Sequence, residues 1–157
     1  MAPQEHVKKA ENIIGYTFSS AGFIHQALTA AGVEDENYDG NRKLSQIGAS
    51  LVETLLAVIV YGTGASRGEN MAKTVETKAI NVTDDPQGNT ADLRRDFTNK
   101  EHYAAVARRT GIIDCISYNN RQSEPSPAVL RIAVNAIIAA VFLDTWNMKL
   151  TLGVILR

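Results

Sequence analysis

Cysteine is almost missing: Cys115 is the only one in 157 residues. An intrachain disulfide is excluded, as are zinc sites built from several cysteines. A reducing compartment is the expectation. Neither sign of charge is in excess, with 16 basic residues against 17 acidic ones and a net charge of −1. That balance argues against non-specific nucleic-acid binding, which rests on many Lys and Arg contacts to phosphate. Long unbroken apolar runs are lacking too. Glu53, Arg131, Asn135 and Asp144 interrupt the longest ones, so the sequence predicts no membrane span. The N-terminus, MAPQEHVKKAEN, has neither the apolar core of a signal peptide nor the Arg-rich face of a transit peptide, which predicts an intracellular, cytoplasmic chain. No alternating strand pattern, internal repeat or linker stands out, so one all-α domain is expected.

What the chain does have is apolar residues at helical spacing. It is 45% hydrophobic and 21% charged, enough to bury a real core. Between Asn41 and Tyr61, Leu44, Ile47, Gly48, Leu51, Leu55 and Ile59 recur at three- and four-residue steps, one face of a helix. The C-terminal half of this stretch is apolar nearly all round, so it should run through the core. Ser45, Ala49 and Glu53 form another stripe, one helical turn apart. The segment 128–143, AVLRIAVNAIIAAVFL, predicts a second buried helix, with Ser126 as cap and Pro127 in the first turn.

Shorter helices surround these two. One is predicted over 3–14, with Val7, Ala10, Ile13 and Ile14 inward and Gly15 as its stop. The next carries Phe23, Ile24, Ala27 and Leu28 inward. Residues 31–40 read as an acidic loop. A short helix is expected over 91–97. Thr98 and Glu101, spaced as a capping box, open another helix that runs to Arg109 and stops at Gly111. A terminal helix over 145–157 is expected to be anchored by Trp146, Met148 and Leu150. Residues 62–90 read as a loop-bounded insertion with a helix over roughly 68–80. Its GTGASRG lacks the third glycine and the Gly-Lys-Ser/Thr ending of phosphate-binding loops, and reads as a plain loop.

Four blocks, in order, resemble the endonuclease domain of the ribonuclease III family. Gly15-Tyr16-Thr17-Phe18 and Ala27-Leu28-Thr29 are spaced like its G-Y-x-F and A-L-T-H blocks. Asn41, Leu44, Ile47 and Gly48 fall on its signature helix, approximately N-E-R-L-E-F-L-G-D-A. Asp92-Leu93-Arg94 through Ile112-Ile113 resembles its later helix pair, and Asn135 to Asp144, NAIIAAVFLD, resembles its E-A-L-I-G-A-I-Y-L-D. The resemblance implies a ribonuclease III-like helical bundle around two buried central helices, dimerised through the signature helix. The chain ends just after the last block, so no double-stranded-RNA-binding domain is expected.

The resemblance also implies where the chemistry should be. In the family a carboxylate cluster holds Mg²⁺, which activates water and stabilises phosphoryl transfer. Here its acids fall at Ser45, Ala49, Ile132 and Asn135, its accessory Glu at Arg42, and the His of A-L-T-H at Ala30. These residues supply no negative charge to a hard cation. The expectation is no metal, no cofactor and no ribonuclease III catalysis. Glu53, one turn beyond Ala49, is the residue around which a relocated metal site would have to form; an ordinary surface or interface glutamate is the plainer reading. Asp144, His25, His102 and Cys115 read as structural or surface groups, and Arg94, Arg95, Arg108 and Arg109 as a solvated helix face.

Three functional readings follow. The first is an inactive homodimer that binds double-stranded RNA or protein as a scaffold, with Leu51, Leu55, Leu56 and Ile59 as interface. The second is a small-molecule site in the space left by the acids, with Ser45 and Asn135 orienting the ligand. The third is a metal-dependent nuclease with a displaced site.

Overall fold

The computed structural model describes residues 3–63, 95, 98–119 and 123–155, with the side chains of 59–63 excluded. The expected helices over 68–80 and 91–97 lie outside the described residues, as does most of the insertion. Six α-helices are described: α1 (Pro3–Ile14), α2 (Ala21–Leu28), α3 (Arg42–Thr63), α4 (Lys100–Thr110), α5 (Pro127–Thr145) and α6 (Met148–Ile155). A 3₁₀ turn spans Ile112–Cys115. Among the described residues the only strand-like pairing is an isolated bridge between Thr29 and Ser117. The fold is all-α.

Local chemistry sets the helix ends. Ser126 caps α5, its hydroxyl accepting from the Val129 N–H at 3.4 Å, and Pro127 follows in the first turn, where its missing N–H costs nothing. Gly111 ends α4 in the left-handed conformation, at φ 76°. The start of α4 differs from the capping box expected at Thr98. Asn99 is the cap, its side chain accepting from the Glu101 N–H at 3.0 Å. Two adjacent residues both able to cap made the sequence ambiguous by one position.

Helix α5 is the axis. It packs against α2, α3, α4 and α6, most extensively against α3. By length and composition it is apolar enough to cross a membrane, although the sequence predicted no span. Half of it is buried inside the bundle, which is the other reason a helix becomes apolar on nearly every side. The helix also carries Ala133, Ala136, Ala139 and Ala140, all fully buried, which allow close helix approach.

Helix α3 buries only part of the face expected of it: Leu44, Gly48 and Leu55 are inside, Ile47 is not. Leu44, Ser45, Gly48, Val52, Leu55 and Leu56 turn inward, whereas Ile47 is 40% exposed and Leu51 half-buried. Leu55 and Leu56 are spent in the core and are not available as an interface. The outward stripe is instead Ile47, Ser50, Leu51, Thr54 and Val58. At the C-terminus Trp146 is 75% exposed and anchors nothing in the bundle; Thr151 is the buried residue of α6. Trp146 ends α5 in the left-handed conformation, leaving its ring against Phe142 at 5.4 Å.

A candidate ligand hollow at the crossing of two core helices

The crossing of α3 and α5 is fixed by an absence of side chain. A Cβ on Gly48 would lie 1.8 Å from the carbonyl oxygen of Asn135, so only glycine permits this approach. Ser45 and Ala49 flank Gly48 on α3. Arg131 lies one turn before Asn135 on α5. These side chains, with Gln46 and Glu53 from α3, Tyr103 from α4 and Thr98 just before it, line a hollow of about 280 Å³ that opens to solvent. Of the residues singled out from sequence, the hollow gathers Ser45, Ala49, Glu53 and Asn135. Arg42, exposed at the first turn of α3, and Ile132, half-buried on α5, are not among its walls. Ala30 is buried away from it, beside the close backbone approach of Gly40.

Sequence reasoning missed Tyr103 and Arg131. Arg131 was legible in principle, because it shares an α5 stripe with Asn135, as Ala49 does with Ser45 on α3. Tyr103 had no signal; α4 brings it in from a distant part of the chain. It is buried, and burial pushes its phenol above the usual tyrosine range, partly offset by the Arg131 charge nearby. Tyr103 also walls a separate apolar cavity of about 140 Å³, lined mainly by Ile and Val from α1, α3, α5 and α6.

Asn135 is the residue that stands out. It is 5% exposed, and its Oδ1 has no hydrogen-bond partner. A buried acceptor left unmet costs roughly 1–3 kcal/mol. The fold tolerates this cost at the closest backbone approach of its two central helices, Gly48 against Asn135.

The donor set does not suit a divalent metal. Among the described residues no group of three or more His, Cys, Asp or Glu comes together. Among the described residues the hollow has one carboxylate, Glu53, and it also carries the Arg131 guanidinium. Mg²⁺ is bound by carboxylate and water oxygens, and a neutral amide with a hydroxyl and a nearby cation does not replace them.

The other polar groups singled out from sequence have structural surroundings. Asp144 ties the end of α5 to the segment before α2. Its carboxylate accepts from the Tyr16 hydroxyl at 2.5 Å and from the Ser19 and Ser20 N–H groups at 2.8 and 3.0 Å. Burial works to raise its pKa, but these hydrogen bonds outweigh it and hold the carboxyl below the usual range. His25 lies 3.9 Å from Glu34 on the surface. Cys115 is fully buried, and burial pushes its thiol up. Arg108 faces Glu124 at 3.7 Å. Arg94 lies outside the described residues.

No protein-family model matches the chain. Ribonuclease 3 of Idiomarina loihiensis is 23% identical over 147 residues, covering 91% of this chain and 55% of that protein. The chain thus spans about half the length of this curated relative. Two solved structures of the nuclease domain of ribonuclease III from Campylobacter jejuni are similar in fold, each with a TM-score of 0.64 and 22% identity. They cover 94% and 95% of this chain, and the alignments take in 92% and 95% of theirs. The chain therefore has the fold of that nuclease domain, and its sequence aligns to a ribonuclease III along most of this chain's length.

Proposed function

We propose that this domain has kept the ribonuclease III fold and given up metal-dependent cleavage, and works as a homodimeric module that binds RNA or protein. The observation that carries this reading is the wall of the hollow. Ser45, Ala49 and Asn135 stand at positions where the family resemblance implies acids, and Arg131 adds a positive charge beside them. Losing one acid can be rescued by a neighbour; losing the cluster leaves nothing to hold the ion.

The dimer rests on the outer face of α3. Ile47, Leu51 and Val58 are partly or well exposed there, around a shallow depression shared with Gln46, Ser50 and Thr54. One of the Campylobacter jejuni structures is described in terms of a region involved in dimer formation of that nuclease domain. Sedimentation of the purified chain should give a dimer that Ile47→Lys converts to monomer. Long double-stranded RNA in Mg²⁺ should stay intact. A shift of that RNA on a native gel that fades with salt would identify RNA as the partner; no shift at low salt points to a protein. Cleavage lost in Glu53→Gln would instead establish a displaced metal site. A single domain with an insertion at about 62–90 is part of the same proposal.

The orphaned Asn135 acceptor favours a second reading, in which the hollow takes a small molecule.

A further inference from the structure

Loss of metal chemistry explains why Ser45 and Ala49 stand where the resemblance implies acids, but not why Asn135 is there. An apolar residue would fill the same place without leaving a buried acceptor unmet. The backbone that carries the amide is held in place, because the Asn135 main-chain carbonyl lies against Gly48 at the helix crossing. Its side chain is 5% exposed, its Oδ1 is unpartnered, and it forms part of the wall of a hollow of about 280 Å³. That volume is close to the lower end of ligand pockets, about 300 Å³. Ala49 keeps the space open by offering nothing beyond Cβ.

The wall chemistry narrows what fits. Asn135 Oδ1 asks for an N–H or O–H donor. Arg131 has donors only, so it asks for an oxygen acceptor. The Ser45 and Tyr103 hydroxyls serve either need. Glu53 and Arg131 carry opposite charges, which disfavours an occupant of one sign, such as phosphate or a divalent cation.

We propose that this hollow binds a small, net-neutral molecule carrying an N–H donor beside a carbonyl or carboxylate oxygen. Primary amides and zwitterionic amino acids share that chemistry. Asn135 Oδ1 accepts from the N–H, and Arg131 donates to the oxygen. The proposal rests on the reading that this site no longer holds a metal.

The test is a titration of the full chain, labelled with ¹⁵N, watching the side-chain amide of Asn135. Acetamide and glycine are the probes; sodium acetate and ammonium chloride, each carrying half of the chemistry, are the controls. Saturable shifts are expected with acetamide or glycine, at least tenfold weaker with either control. The stronger of the two probes decides between an amide and a zwitterion. Ala49→Met fills the hollow from an exposed helix position and should abolish the response with the rest of the spectrum unchanged. Asn135→Leu should weaken binding of the better probe at least tenfold, read on neighbouring backbone amides. No saturable shift from either probe, leaving water as the partner of Oδ1, overturns the proposal. An equal response to all four compounds, or one that survives Ala49→Met, does the same. Mg²⁺-dependent RNA cleavage would sink the loss of metal chemistry itself, whereas intact RNA without probe binding would sink only this ligand.

Discussion

Helix α5 carries Asn135 near its middle and Asp144 near its C-terminal end, and the fold treats these two polar residues in opposite ways. Asp144 sits where the helix ends, within reach of a loop. It gathers the Tyr16 hydroxyl and two backbone N–H groups around one carboxylate. Asn135 sits at the crossing with α3, deeper in the protein, and its acceptor has no partner. The contrast has a geometric cause. At a helix end, chain reversal brings unpaired N–H groups to the side chain. At mid-helix the facing backbone is already paired within α3, and the contact residue, Gly48, has no side chain to offer. Asp144 ties the end of α5 to the segment before α2, whereas the Asn135 Oδ1 is buried without a partner. The two positions therefore respond differently to substitution.

The largest effect belongs to the crossing. Gly48→Val would drive a Cβ into the Asn135 backbone, where there is no flexible side chain to yield. Separating α3 from α5 opens the most extensive packing in the molecule. A loss of about 4 kcal/mol or more in urea unfolding is expected, the range of severe core disruption. A loss below about 1 kcal/mol would mean that the crossing is looser than this geometry and that Asn135 is free to move.

Next comes the satisfied end. Asp144→Ala leaves Tyr16 and the N–H groups of Ser19 and Ser20 without their acceptor. All three lie near enough to solvent to recover water, so the cost should be about 2 kcal/mol, the scale of charged hydrogen bonds. Asn135→Leu should have the opposite sign. Removing an unmet buried acceptor and substituting apolar volume should stabilise by about 1 kcal/mol. If Asn135→Leu destabilises as much as Asp144→Ala does, the amide is a structural element and the contrast fails.

Much of this was legible in the sequence, for reasons that differ by element. The start of α5 was written in Ser126 and Pro127, which act locally. The centrality of α3 and α5 followed from their apolar content. The inward face of α3 was not legible, because a helix apolar on several sides fits more than one stripe. Packing against α5 chose Val52 and left Ile47 outside. The hollow was half legible. Ser45, Ala49 and Asn135 were placed by resemblance, Glu53 by its stripe on α3, and Arg131 could have been placed by its stripe on α5, but Tyr103 enters through a tertiary contact that no local pattern encodes. The orphaned Oδ1 could not be read at all, since it depends on what fails to arrive opposite Asn135.

The smallest effect sharpens the comparison through pH. Burial, then the Asp144 hydrogen bond and charge, push the Tyr16 phenol up to about 12. The unfolded phenol titrates near 10. The stability this group contributes should therefore be complete below about pH 10 and disappear as pH rises to about 12. Asp144 runs the other way. Its folded pKa lies below the ordinary 3.8, so its contribution is held above that value and lost only as pH falls through the lower folded one. Tyr16→Phe should remove the alkaline loss and leave part of the acid one, because the Ser19 and Ser20 N–H groups still hold the carboxylate. Asp144→Asn should remove the acid loss. Tyr16 would then titrate between about 10 and 12, followed by tyrosinate absorbance, because burial, the larger cause, remains. Neither ramp should change in Asn135→Leu, since Asn135 has no proton to exchange and shares no hydrogen bond with the Asp144 cluster. A changed ramp in that variant would show that the crossing and the C-terminal end of α5 are coupled.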